Sequence, residues 1–245
     1  MRSLKIIVLA ALLTTLFLAA QGPAVDKLIF VVQPDESKAI RDIIDGRMHI
    51  WLWYMRTPEN LELAKARGLN LINVAGCGVY NLQINPVTPN EGFNPFTIRE
   101  VREALNWLVD RRYIAEELMK GLGLPQYTLF RVGSPEYVRY MDLMIAYERK
   151  YAYDFEKAKQ VITEALTKAG AVMRGGKWYY GDKPIVVRIL ARVEDVRKDI
   201  GAYVAEQLKK VGFEVDLQVV PASVAVPKVY RGDPRTGEWH IYTEG

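Results

Sequence analysis

Residues 193–220 read VEDVRKDIGAYVAEQLKKVGFEVDLQVV, and two periodicities meet within them. Val196, Ile200, Val204 and Leu208 recur every four residues, which predicts a helix over 193–210 with one apolar stripe. After Gly212 the period falls to two. Phe213, Val215, Leu217 and Val219 alternate with Glu214, Asp216 and Gln218, the pattern of a half-buried strand. A helix that runs straight into a strand is an α/β unit.

The pattern continues toward the N-terminus. Trp178–Tyr180 and Ile185–Leu190 flank Gly181-Asp182 and predict a hairpin. Asp154 caps a helix that turns Ala158, Val161, Ile162, Ala165 and Leu166 inward and ends at Gly170. Asp110 caps another, running to Gly121. Thr97 and Glu100 form a capping box for a helix with Ile98, Val101, Leu105 and Leu108 inside. Asn85 to Pro95 holds three Pro, three Asn and a Gly, so it is a loop and the best boundary in the chain. Before it, strands are expected at Lys27–Val32, Met48–Tyr54, Leu71–Val74 and Val79–Ile84. Helices are expected at Glu36–Asp45 and from Pro58, capped by Thr57, to Gly68. The fold class is α/β throughout.

Composition narrows the function. The chain has 245 residues, half of them apolar and a quarter charged, which excludes disordered and collagen-like classes. Cys77 is the single cysteine, so no internal disulfide and no four-cysteine zinc site can form. The pI of 9.0 overstates the basic character. Residues 1–24 carry Arg2 and Lys5 and no acid, and without them the balance is 31 basic to 29 acidic residues. No dense basic run remains, and nucleic acid is set aside as a partner.

Residues 1–24 read as an address. A basic head, Met1 to Lys5, precedes fifteen uncharged residues, Ile6 to Ala20, and a small-residue tail, Gln21-Gly22-Pro23-Ala24. These are the three parts of a secretory signal peptide, so export is expected. Ala20, Gly22 and Ala24 are each compatible with cleavage. The alternative is a retained anchor, but fifteen residues rise only about 22 Å as a helix, short of a ~30 Å hydrocarbon core.

No catalytic constellation stands out. His49 and His240 lie in no metal-ligand spacing, and no G-x-S-x-G, phosphate-loop or H-E-x-x-H motif occurs. Gly76-Cys77-Gly78 reads as a small buried thiol rather than a nucleophile turn. Neither a cofactor nor an enzymatic activity is expected.

Three segments, in order, resemble the extracellular solute-binding proteins of the oligopeptide/dipeptide/nickel class that serve ABC importers. The first combines Asn85, Pro95-Phe96, Val101-Arg102-Glu103-Ala104-Leu105 and Asp110-Arg111. The second is Tyr153-Asp154-Phe155-Glu156-Lys157-Ala158-Lys159, closed by Ala169-Gly170. The third is Glu206-Gln207-Leu208-Lys209-Lys210-Val211-Gly212 with the strand after it. The resemblance implies a partial periplasmic-binding-protein-like type II fold, with the first lobe and the C-terminal part missing. It divides the chain into a signal peptide (1–24), a partial hinge-side lobe (25–84) and a partial second α/β lobe (85–245).

The resemblance also implies a function: binding a peptide or oligosaccharide outside the cytoplasm and presenting it to the membrane permease subunits of an ABC importer. A non-transport surface scaffold, or a degenerate fragment of a binding protein, is the alternative. The implied ligand contacts are Trp51, Trp53 and Tyr54 on the strand after Gly46, Tyr80 and Asn81 before the boundary, and Thr243 and Glu244 near the C-terminal end. Trp51 and Trp53 would share one strand face, in the core or in the cleft.

Overall fold

The computed structural model describes residues 25–72 and 78–245. The expected signal peptide, Val74 and Cys77 lie outside the described residues. The first elements are two helices, α1 (Glu36–Ile44) and α2 (Pro58–Ala66). Asp35 caps α1 by accepting from the Lys38 N–H at 2.8 Å. Thr57 stands at the N-cap of α2 but makes no side-chain cap bond. The Glu36 carboxylate takes that role across space, accepting from the Arg56 and Thr57 N–H groups and from the Asn60 amide. A carboxylate at a helix N-terminus also complements the dipole, so one residue of α1 fixes the start of α2.

Two expected strands are absent. Lys27–Val32 and Met48–Tyr54 lie outside any ladder, and Phe30 and Val32 are 82% and 93% exposed. Both stretches have strand composition, but a strand exists only where another strand accepts its hydrogen bonds. Among the described residues nothing pairs with them. Leu71 and Ile72 are likewise outside any ladder.

The central sheet holds four strands in the order β1 (Asn81–Ile84), β7 (Ile241–Glu244), β5 (Val186–Arg192), β6 (Glu214–Val220). Strands β5, β6 and β7 are parallel, and β1 runs antiparallel to β7. The strand before the Asn85 boundary thus shares one sheet with strands after it. Between β5 and β6 lies α8 (Arg197–Lys210), which begins later than expected because 193–196 form the turn out of β5. Gly201 of α8 faces Ala191 of β5, and a Cβ on the glycine would stand 2.5 Å from the alanine's.

The two faces of this sheet are covered by different layers. Val187, Ile189 and Ile241 pack with Ile200, Val204 and Leu208 of α8 and with Val101, Leu105 and Leu108 of α3 (Arg99–Leu108). Ala158, Ile162 and Leu166 of α7 (Phe155–Lys168) complete that core. On the other face Leu190 and Tyr242 pack with Trp239 and with Ala225 of α9 (Ala222–Tyr230). Neighbouring residues of β5 therefore belong to opposite cores, as the strand period requires.

The remaining elements attach to the first layer. Asp110 caps a short helix, α4 (Arg111–Tyr113), which continues as a π-helical turn to Leu118. Helices α5 (Pro135–Arg139) and α6 (Met141–Lys150) precede α7, and Asp154 caps α7 as expected. A small antiparallel sheet, β2 (Val172–Arg174), β3 (Lys177–Tyr180) and β4 (Lys183–Pro184), turns at Gly181-Asp182 as expected. Its second arm is only Lys183–Pro184, because most of the expected arm Ile185–Leu190 belongs to β5 of the central sheet. The expected capping box at Thr97 is not formed. Asn94 caps a 3-10 turn over Pro95–Thr97, and Ile98 stands at the N-cap of α3 without a side-chain bond.

Candidate functional site

Strands β5, β6 and β7 point their C-terminal ends toward one edge of the sheet, where β1 begins. From β5 the chain crosses to β6 on one side and later to β7 on the other. Helices α8 and α9 lie on opposite faces, so the edge between β5 and β7 is a topological switch point. Open α/β sheets bind ligands in the crevice outside the strand ends at such a point. The groups that gather there are Arg192, Glu194, Asp195, Arg197, Thr243, Glu244, Gly245, Tyr80 and Asn81.

Their geometry is closely determined. Arg192, at the end of β5, donates from its backbone N–H to Thr243 Oγ1 at 2.9 Å and from its guanidinium to Glu194 and the Tyr242 hydroxyl. Burial opposes ionisation of Glu194, but hydrogen bonds from Arg192 and from the Ala222 N–H outweigh it and hold the carboxyl at about 2. Arg197 grips Asp195 with two bonds of 2.7 and 2.8 Å and donates to the Gly245 carbonyl oxygen at 2.8 Å. Tyr80 donates its hydroxyl to the same Asp195 at 3.3 Å. Burial, with the Asp195 charge second, raises the Tyr80 phenol above its ordinary value.

The expected contact residues divide into two groups. Tyr80, Asn81, Thr243 and Glu244 come together, because Asn81 pairs with Glu244 and Leu82 with Thr243 in the β1–β7 ladder. Within this group Thr243 is buried and its hydroxyl serves the Arg192 backbone. Glu244 accepts from the Tyr230 hydroxyl, which in turn accepts from the Gln83 amide at 3.0 Å. Trp51, Trp53 and Tyr54 form a second group away from any strand. Trp51 is half-buried and donates to the Gln33 carbonyl at 3.4 Å, whereas Trp53 is exposed with its ring 5.6 Å from that of Tyr54. The strand alternation expected of Trp51 and Trp53 therefore does not apply. Arg56, close behind them, lies near enough to Tyr80 to act on its phenol electrostatically.

Sequence reasoning missed Asp195, Arg197, Arg192 and Glu194. An acid–x–base pair at the start of a helix looks like ordinary surface capping, and only the end of β7 turns it inward. A shallow, open depression of about 450 Å³ lies elsewhere, on the α3–α6 surface, lined by Arg99, Arg102, Glu103, Asn106, Tyr147, Lys150 and Tyr151. It is wide open and no residue of a strand end lines it, which makes it the weaker candidate.

The motif residues of the first segment are structural. Asn85 donates to the carbonyls of Pro234 and Trp239 and accepts from the Val87 N–H. Asn94 donates to the carbonyls of Asn85 and Val87. Arg102 donates to those of Phe96 and Thr97, and Arg111 to Asn106. Asn85 and Asn94 lock the loop that follows β1, Arg102 fixes the turn after it, and Arg111 ties the end of α3 to α4.

Comparison with known proteins agrees with this frame. The family of bacterial extracellular solute-binding proteins, family 5 Middle, matches residues 17–245. Oligopeptide-binding protein AppA of Bacillus subtilis (strain 168) is 28% identical over 211 residues, covering 84% of this chain and 36% of AppA. The crystal structure of AppA in complex with a nonapeptide superposes with a TM-score of 0.53 at 24% identity, over 87% of this chain and 39% of that one. A mannohexaose-bound periplasmic oligopeptide-binding protein from Thermotoga maritima gives a TM-score of 0.61 at 20% identity, over 84% of this chain and 37% of that one. The chain spans a little over a third of each relative, and its fold is the corresponding part of a type II periplasmic binding protein. It belongs to the bacterial extracellular solute-binding proteins, family 5.

Proposed function

We propose that this chain is the exported solute-binding component of an ABC importer and that it takes a peptide or an oligosaccharide. The observation that carries this reading is the switch-point edge, where Tyr80, Asn81 and Glu244 meet at the ends of β1 and β7. The half-buried ring of Tyr80 and the exposed amide of Asn81 suit both ligand classes, since peptide side chains and sugar rings offer apolar faces beside hydrogen-bonding groups. The named relatives favour the same two classes, one holding a nonapeptide and another mannohexaose. In this reading β1 and β7 act as hinge strands, and the loaded form is what a membrane permease receives. Export agrees with the extracellular family and with the basic-apolar-small pattern of residues 1–24.

Isothermal titration of the purified chain with mannohexaose and with a pool of random nonapeptides tests the proposal. Saturable heat with either probe, reduced by Tyr80→Ala or Asn81→Ala, supports it. No heat with either probe at millimolar concentration would overturn it. The surface-scaffold reading draws on the exposed run from Leu28 to Val32, and that negative outcome would favour it.

A further inference from the structure

Arg197 and Asp195 form a buried ion pair, with side chains only 4% and 7% exposed. Taking both charges out of water costs several kcal/mol, and apolar residues of equal volume commonly give equal or greater stability. Simple stabilisation of the fold is thus a poor account of this pair. Its contacts offer a better one, for they reach three separate segments. Asp195 belongs to the turn after β5 and Arg197 opens α8. Their partners are the Tyr80 hydroxyl just before β1 and the Gly245 carbonyl just after β7. The Arg197 guanidinium also lies over the Tyr80 ring, 5.6 Å from its centroid.

Tyr80 and Gly245 meet directly. A Cβ on Gly245 would lie 2.3 Å from Tyr80 Cδ1, so the ring occupies the space that any other residue would need. The packing thus ties the chain entering β1 to the chain leaving β7, and the ion pair anchors both to β5 and α8.

We propose that Asp195 and Arg197 are positioning residues of the ligand-binding edge. They hold Tyr80 and the Gly245 end of β7 in one arrangement and do not themselves contact the ligand. The hydrogen bonds of the Arg197 guanidinium go to Asp195 and Gly245 and its charge lies over the Tyr80 ring, which leaves recognition to Tyr80, Asn81 and Glu244. This assignment rests on the switch-point reading above. It predicts that the edge loosens when the clasp is removed, even where overall stability is kept.

The test uses the full chain carrying Asp195→Leu together with Arg197→Met, which removes both charges at once, so that neither is buried without its counter-ion, and frees Tyr80 and Gly245 from the clasp. Thermal unfolding should stay within about 5 °C of the parent. Amide exchange at 81–84 and 241–244 should accelerate about tenfold or more, while exchange in α7 is unchanged. Mannohexaose or nonapeptide affinity, whichever the parent shows, should fall about tenfold at that near-parental stability. Arg197→Lys should not restore either property, because an ammonium cannot form the two-pronged bond and reach Gly245 together. Should the double variant fail to fold, Arg197→Lys alone provides the same exchange comparison.

Unchanged exchange at both strands would overturn the assignment, as would unchanged affinity beside accelerated exchange. If the parent binds neither probe, the functional reading fails, and the exchange measurement still decides whether the clasp positions the two strands.

Discussion

The Nδ1 atom of His240 accepts a hydrogen bond from the Arg188 backbone N–H at 3.0 Å, and the His240 N–H donates to the Arg188 carbonyl at 2.8 Å. The imidazole thus continues the parallel pairing of β5 and β7 beyond its last backbone bond. An acceptor at Nδ1 requires the neutral ring. Burial, with the Arg188 charge second, lowers the His240 pKa from 6.5 to about 4. The unfolded chain therefore binds a proton between pH 6.5 and 4 that the folded chain does not. Stability from this residue is complete above pH 6.5 and is lost as the pH falls toward 4, by about 3 kcal/mol in all. Denaturant titrations across that range should show the decline. His240→Asn keeps an acceptor and removes the titration, so its profile should be flatter between those limits; a parallel profile would contradict the assignment.

The Gly201–Ala191 approach predicts a tight steric rule. Alanine at 201 would raise the helix propensity of α8 by about 1 kcal/mol. Its Cβ, however, would stand 2.5 Å from that of Ala191 and push α8 off the sheet. We expect Gly201→Ala to destabilise by about 1–3 kcal/mol. Adding Ala191→Gly should recover most of that loss, and a double-mutant cycle on urea midpoints measures it.

Asn85 is buried, and its side chain serves Pro234, Trp239 and Val87 at once. Asn85→Ala would strand the buried Trp239 carbonyl, the part-buried Pro234 carbonyl and the Val87 N–H. A loss of about 3 kcal/mol is expected, with faster exchange at Val87 and around residues 234–239. Asn85→Asp keeps the acceptor for Val87 but cannot donate, so it should recover only a minor part. Full recovery by aspartate would show that the donations to Pro234 and Trp239 are unimportant.

These residues also show how far the sequence alone could be read. The helix at 197–210 and the strand at 214–220 were legible because each packs against partners the periodicity implies. Asn85 was visible as a boundary and a motif residue, but its bonds to Pro234 and Trp239 span about 150 positions, which no local pattern encodes. The stretches Lys27–Val32 and Met48–Tyr54 misled because apolar composition reports a capacity to be buried and says nothing of a partner strand. Helix α9 was hidden by the reverse effect. It follows Pro221 and carries Pro227 in its interior, a residue that ordinarily ends a helix. At the site, Tyr80, Asn81, Thr243 and Glu244 were each named as candidates, but their convergence comes from the β1–β7 ladder and no sequence pattern states it. The clasp of Asp195 and Arg197 was not named at all, since it depends on where β7 ends.

The run from Lys27 to Val32 supports one further prediction. Five consecutive apolar residues, Leu28, Ile29, Phe30, Val31 and Val32, are each at least 66% exposed and join no ladder. Their backbone N–H and C=O groups are unpaired by strand neighbours, and their composition matches short segments that stack into intermolecular sheets. The outer edge of β1 is also free among the described strands. Two copies can therefore satisfy these groups by strand addition where one copy cannot. Sedimentation velocity should show concentration-dependent association at loading on the order of 100 μM. Phe30→Lys with Val32→Lys should suppress it by placing like charges on the segment. Both side chains are exposed, so the unfolding temperature should not change. A parent chain that stays monomeric over that range, or a double-lysine variant that associates equally well, would show that the segment is not the adhesive surface.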